Sequence, residues 1–242
     1  MTTLLEVRNL SCAFGALRAV DDVSFSVHDG ELLGLIGPNG AGKSTLYNLI
    51  AGAIKPTSGE IVYKGRAITG WKPFDAARSG VARTFQIPKP YGHLSVIENV
   101  ALSALLHNMT VAAARKSAEA VLADVSLAHV AEAPVSILTV GQLKRLEVAR
   151  ALALQPSLVL FDEIMAGLTR NEVMGMTELV ANLAARGITV IWVEHVLYAI
   201  MKAAPRIMVL DRGQIIADGT PEKLVKDPAV IKAYLGEEMS LA

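Results

Sequence analysis

Residues Gly37-Pro38-Asn39-Gly40-Ala41-Gly42-Lys43-Ser44 fit the pattern G-x-x-x-x-G-K-[ST] at every constrained position. The chemistry this pattern suits is phosphate binding. Glycines let the backbone curl so that its N–H groups point inward as a nest for anionic oxygens. Lys43 supplies a point charge for the β- and γ-phosphates, and the Ser44 hydroxyl is placed to ligate Mg²⁺. A Gly-rich turn without a ligand would also use the glycines, but it would not require Lys43 followed by Ser44. The segment therefore reads as a site for a nucleoside triphosphate with Mg²⁺.

Two more segments end in groups able to act on a terminal phosphate. Leu158-Val159-Leu160-Phe161 is an apolar run that stops at Asp162-Glu163. Where a strand ends, the chain leaves the sheet and both acids can approach a common crevice. Asp162 suits a Mg²⁺ contact, and Glu163 suits polarising an attacking water. Acids after a strand are common, so the signal gains its strength from the phosphate loop upstream. Thr189 to Val193 is a second apolar run, ending in Glu194-His195. His195 reads as a sensor of the terminal phosphate if this strand is parallel to the others. A third segment, Leu138-Thr139-Val140-Gly141-Gln142, opens a helix: Thr139 and Gln142 have capping-box spacing, and Gly141 leaves the helix N-terminus open to an anion.

The elements that must position these groups can be placed from pattern. Glu31 to Ile36 reads as a buried strand entering the loop, and Ser44 to Ile50 as the helix leaving it. Leu4 to Val27 alternates like antiparallel strands, with a hairpin signal at Asp29-Gly30. Turns are expected at residues 56–59 and 64–65, around a strand at Glu60 to Tyr63. Gly80 to Gln86 reads as a strand, closed by Pro88 and Pro90. Ser95 and Glu98 form a capping box for a helix towards His107, a second helix runs Thr110 to Asp124, and a third runs from Gly141 through Ala153. A helix from Asn171 to Arg186, a hairpin turning at 211–213 between Arg206–Leu210 and Gln214–Ala217, and a terminal helix after Thr220-Pro221 complete the chain. The expected fold is α/β with an antiparallel β subdomain. Residues 1–87 and 154–242 would form the core, and 88–153 an inserted helical subdomain.

Composition bounds the function. The 242 residues contain 23 basic and 23 acidic side chains, so no overall field favours nucleic acid. Cys12 is the only cysteine, and His28, His93, His107, His129 and His195 lack metal-ligand spacing. There is no secretory pattern at Met1 to Glu6 and no apolar run near the ~20 residues of a membrane span, so a cytoplasmic protein is expected. Yet 52% of residues are apolar. Buried parallel strands account for part of that, and a surface meant for a partner is the sharper reading.

Taken together, these motifs resemble the nucleotide-binding subunit of an ABC transporter, over essentially the whole chain. The resemblance implies a P-loop NTPase core of RecA-like type. Gly37 to Thr45 match Walker A, Gln86 the Q-loop, Leu138 to Gln142 the signature, and Asp162 and Glu163 Walker B and the catalytic glutamate. Ala166 to Thr169 fall at the D-loop, and His195 at the switch histidine. Phe14 sits where such proteins stack an aromatic on adenine, although an ordinary strand-edge phenylalanine would look the same. Lys43, Gln86, Glu163 and His195 are thereby implied to be catalytic. Ser44, Gln86 and Asp162 would hold Mg²⁺, and Phe14, Gly37, Pro38, Asn39, Gly40, Ala41, Gly42, Lys43, Ser44, Thr45, Thr139, Gly141 and Gln142 would bind ATP.

The sequence departs from the pattern at Thr139 for serine, Val140 for the first signature glycine, Ile164 for proline and Thr169 for the D-loop aspartate. The last change bears on communication between sites more than on hydrolysis. Residues 82–86, 141–147, 219–221 and 233–237 resemble the importers of branched-chain amino acids. Lipopolysaccharide-export and urea- or amide-import ATPases share much of the pattern. The implied partners are transmembrane permease subunits, on the inner face of the membrane, and a second ATPase subunit, identical or similar, with ATP between the two. A soluble ABC ATPase acting on DNA or the ribosome would be expected to carry basic arms or a long coiled coil. A nucleotide-gated module without turnover is disfavoured by intact Glu163 and His195.

Overall fold

The fold, a computed structural model, describes residues 2–107 and 109–238. Its strands are β1 (Thr3–Phe14), β2 (Leu17–His28), β3 (Leu32–Ile36), β4 (Ser58–Tyr63), β5 (Arg66–Ala67), β6 (Val81–Arg83), β7 (Leu158–Asp162), β8 (Thr189–Val193), β9 (Arg206–Asp211) and β10 (Gln214–Gly219). They form two sheets, β2-β1-β4-β5 and β10-β9-β3-β8-β7-β6. The first is antiparallel throughout. In the second, β6, β7, β8, β3 and β9 run parallel and β10 closes the edge antiparallel.

The larger sheet is covered on both faces, and its sequence records this. β3 and β8 are buried at every position, as parallel strands between two layers must be. Alternate residues feed two cores. Leu33, Leu35, Leu158, Leu160, Ile191 and Val193 face the small sheet and the helix α1 (Lys43–Ile50). Val159, Phe161, Val190 and Trp192 face the opposite core. That second core is built with α3 (Val96–Ala104), α4 (Val111–Asp124), α5 (Val140–Leu152), α6 (Arg170–Ala185) and α7 (Leu197–Ala203). Among the described residues, the other α-helices are α2 (Pro73–Arg78), α8 (Pro221–Leu224) and α9 (Pro228–Glu238).

Capping chemistry sets the helix starts. Ser95 and Glu98 form the full capping box of α3, Thr110 caps α4, and Thr139 with Gln142 boxes α5. Each box satisfies two N–H groups that the first turn cannot pair internally.

Four expectations need correction. Asp29-Gly30 turns the chain but closes no hairpin, because it passes from β2 in one sheet to β3 in the other. The hairpin lies earlier, between Phe14 and Leu17, with Gly15 at positive φ. An uninterrupted apolar run such as Leu32–Ile36 is pulled into the doubly covered sheet whatever turn precedes it. The strand expected at Gly80 to Gln86 is limited to Val81–Arg83, after which the chain leaves the sheet towards the site. Two short helices were not foreseen: α2, opened by Pro73, and α7 directly after the His195 turn. The C-terminal segment is two helices, broken where Asp227 accepts from the Ala229 N–H at 2.8 Å and Pro228 starts α9. Among the described residues, no single helix is long and apolar enough to cross a membrane.

Candidate functional site

The phosphate loop joins β3 to α1. Gly37 and Gly42 have φ of 152° and 103°, and a Cβ at either would collide with a backbone carbonyl oxygen, of Leu210 and Ala19 respectively. Only glycine fits both. Gly42 is the N-cap of α1 and brings no side chain over the helix N-terminus, the end of a helix at which an anion is favoured. Lys43 is 6% exposed, with Nζ 2.5 Å from the Gly37 oxygen and 2.8 Å from the Pro38 oxygen. The ammonium is therefore held over the loop by the loop's own carbonyls. Behind it, the Tyr47 hydroxyl lies 3.0 Å from the Thr84 oxygen and 2.5 Å from the Leu160 oxygen, fixing α1 against β6 and β7.

In front of the loop lies a cleft of about 620 Å³ lined by Phe14, Asn39 to Thr45, Glu163, His195 and Arg212, among others. Phe14 is 53% exposed at the tip of the β1–β2 hairpin. It makes no part of either core and is free to stack on a flat ligand.

Segments from the ends of three parallel strands meet at Glu163, and two of them, carrying Glu163 and His195, line this cleft. The Glu163 carboxylate takes the Gln86 amide, Nε2 to Oε2 at 2.5 Å, and faces His195, Nε2 to Oε1 at 2.7 Å. These residues follow β6, β7 and β8, so the strand order brings together groups separated by 77 and 32 positions in sequence. Glu163 adopts φ 48°, a conformation costing a non-glycine residue about 1–2 kcal/mol. Its N–H donates to the Val193 oxygen at 2.9 Å, which fixes that turn. Asp162 lies beside it, its N–H donating to Thr84 Oγ1 at 3.1 Å. Burial first, and then the Glu163 charge, push the Asp162 carboxyl above the usual carboxylate range. A cation bound there would reverse that tendency.

The donor set for a divalent cation is sparse. Among the described residues no cluster of three or more His, Cys, Asp or Glu side chains is arranged to hold a metal. Ser44 and Asp162 with Gln86 fit the oxygen donors of Mg²⁺, which keeps waters and takes its other ligands from substrate phosphates.

Thr139, Gly141 and Gln142 are not brought to this cleft. Thr139 Oγ1 accepts from the Gln142 N–H at 3.2 Å, and Gln142 Oε1 accepts from the Thr139 N–H at 3.0 Å. Thr139 is exposed, and so is Val140, at 56%. A Cβ on Gly141 would meet the Glu172 carboxylate. Glu172 in turn completes a capping box with Thr169 at the start of α6. Thr169, read in the sequence as lacking an aspartate, thus has a structural duty of its own.

Buried ionisable groups were missed, among them Lys144 and Glu194. Lys144, on α5, is 4% exposed and donates to the backbone oxygens of Gln86 at 2.5 Å and Glu163 at 3.1 Å. Glu194 is 2% exposed and accepts the Met165 N–H at 2.8 Å. Nothing in Leu143-Lys144-Arg145 or Val193-Glu194-His195 distinguishes a buried charge from a solvated one. That depends on which loops pack above them.

With this geometry in hand, comparisons with known proteins place the chain. Residues 20–166 match the family model described as "ABC transporter". Residues 214–239 match "Branched-chain amino acid ATP-binding cassette transporter". The chain is 36% identical over 250 residues to the high-affinity branched-chain amino acid transport ATP-binding protein BraF of Pseudomonas aeruginosa, covering 97% of this chain and 98% of that one. It is 38% identical over 252 residues to the LivG protein of Salmonella typhimurium, which carries the same description, at the same coverage. Among solved structures, a nucleotide-free ATP-binding cassette from an ABC transporter superposes with TM-score 0.88 at 30% identity, over 96% of this chain and 99% of that one. The ADP conformation of an ATP-binding cassette of an ABC transporter gives TM-score 0.89 at 30% identity, over 98% and 100%. A dimeric post-hydrolysis cassette bound to ADP and Pi gives 0.81 at 25% identity, over 90% and 99%. The chain belongs to the ABC transporter family, within its group of branched-chain amino acid transport ATP-binding proteins.

Proposed function

We propose that this chain is the ATP-hydrolysing subunit of a membrane importer for branched-chain or related amino acids. The observation that carries the reading is that Glu163 and His195 line the cleft in front of the phosphate loop, with Gln86 hydrogen-bonded to Glu163 from beside it. The relatives' descriptions supply the cargo class.

In the proposed mechanism the loop N–H groups, the α1 N-terminus and Lys43 bind the β- and γ-phosphates, and Phe14 stacks on the adenine. Ser44, Gln86 and Asp162 would hold Mg²⁺, which would supply charge neutralisation on the phosphate oxygens. Glu163 accepts a proton from the attacking water, while His195 and Gln86 hold its carboxylate in line. Thr139, Gly141 and Gln142 act on a second copy or a similar chain, where the α5 N-terminus contributes from across a head-to-tail dimer. The dimeric cassette bound to ADP and Pi supports pairing of two ATPase chains. Residues 88–153 are taken as the helical subdomain, with the Gln86 loop passing motion to permease subunits on the inner face of the membrane.

The test is phosphate release from the purified chain beside Glu163→Gln. The wild type should turn over, and the variant should bind ATP while losing 10²- to 10⁴-fold in kcat, the usual contribution of a general base. Equal turnover in both would remove Glu163 from the role.

A further inference from the structure

Lys144 lies two residues past Gln142 on the helix that begins at Thr139, yet its ammonium is not at the proposed dimer face. It points inward, 4% exposed, with two N–H groups on the backbone oxygens of Gln86 and Glu163. Those two residues also touch through their side chains. One cation thus holds from behind the pair of residues that meet in front.

The contact is one of a series. At i+3 and i+6 on the same helix, the Glu147 carboxylate accepts the Lys89 N–H at 3.2 Å, and Arg150 donates to the Lys89 oxygen at 2.9 Å. Glu147 and Arg150 pair at 2.6 Å, and Arg150 lies 5.0 Å from the Tyr91 ring centre. Residues at this spacing share one helix face. That face grips the chain from Gln86 to Tyr91, and Lys144 alone reaches beyond it to Glu163. Burial drives the Lys144 pKa below the ordinary lysine range, against the opposing carboxylates of Glu194, Glu163, Asp162 and Glu147. A buried ammonium is costly unless its N–H groups are paired. Keeping one where an apolar side chain would fill the space points to a use for its two directed bonds.

We infer that Lys144 is a positioning residue for hydrolysis, setting the Gln86 and Glu163 side chains through their backbone oxygens and making the orientation of α5 part of the catalytic geometry. Because Glu163 holds a left-handed backbone, a carbonyl released from Lys144 lets the turn relax and carries the carboxylate with it. The α5 N-terminus that would meet the opposite nucleotide is then rigidly linked to the carboxylate acting on the local one. This inference rests on the ATPase reading above.

The test uses the full chain with Lys144→Met and Lys144→Arg, measuring kcat, KM, ATP affinity and thermal stability together. Lys144→Met should lose 10- to 100-fold in kcat, the scale of a misplacement of about 1 Å. Its ATP affinity and KM should stay within about threefold. Lys144→Arg, which keeps donors for both carbonyls, should restore kcat to within about fivefold of wild type. Wild-type kcat in Lys144→Met overturns the inference. So does a kcat loss that travels with lost ATP affinity or that arginine does not repair. If Lys144→Met fails to fold, Lys144→Gln takes its place with the same expectation and the same overturning results. A wild-type chain that releases no phosphate would instead refute the ATPase reading itself.

Discussion

Glu194 offers a stability test in which burial is the largest effect. Its carboxyl is pushed up to about 7, first by desolvation at 2% exposure and further by the nearby Glu163 charge, against the N–H groups of Met165 and His195. In the unfolded chain it titrates near 4.5. Below both values the group is protonated in either state and costs nothing. Between them the unfolded chain releases a proton that the folded protein retains, so stability falls as pH rises. Above about 7 the full penalty is present, roughly 3 kcal/mol at about 1.4 kcal/mol per pH unit. Glu194→Gln removes the titration and keeps an oxygen for the Met165 N–H. Urea unfolding of both proteins without nucleotide, from pH 5 to pH 8, isolates the effect, since every other titrating group is shared. The variant should gain on wild type by about 2–3 kcal/mol across that range. A difference that stays flat, or that reverses in sign, would refute the assignment of Glu194 as a carboxylate penalised by burial.

Other consequences follow from the loop and its cation. Lys43→Ala should weaken ATP binding by about 10- to 100-fold, the worth of a charge-assisted hydrogen bond, and unchanged affinity in a binding titration would exclude it from the phosphate site. Gly40 and Gly42 both have positive φ, but only a Cβ at Gly42 meets backbone. Thus Gly40→Ala should cost about 1–2 kcal/mol in nucleotide-free melting and Gly42→Ala distinctly more. Equal costs would mean that the Ala19 carbonyl moves freely aside.

The parts of the site legible in the sequence are those dictated locally. The glycine spacing of residues 37–42 follows from φ values that no other residue supports, and the Thr139–Gln142 box follows from helix-end hydrogen bonding. Glu163 and His195 were readable because apolar runs end directly before them, and parallel strands deliver such ends to one edge. What could not be read depends on packing between distant segments. The left-handed turn at Glu163 is held on its N–H side by Val193, thirty residues away in sequence, and on its carbonyl side by Lys144. The burial of Lys144 is set by the loop after β6 and the turn after β7. The β1–β2 hairpin was missed because Gly15-Ala16 is a weaker turn signal than Asp29-Gly30, and the sheet assignment of β3 overrides the latter.

Whether this ATPase drives a membrane transporter is tested by purifying the full chain from mildly solubilised native membranes and identifying what accompanies it. Two permease subunits and a second ATPase chain should accompany it, and the recovered complex should release phosphate. Recovery of soluble partners alone, or of none, would contradict that role.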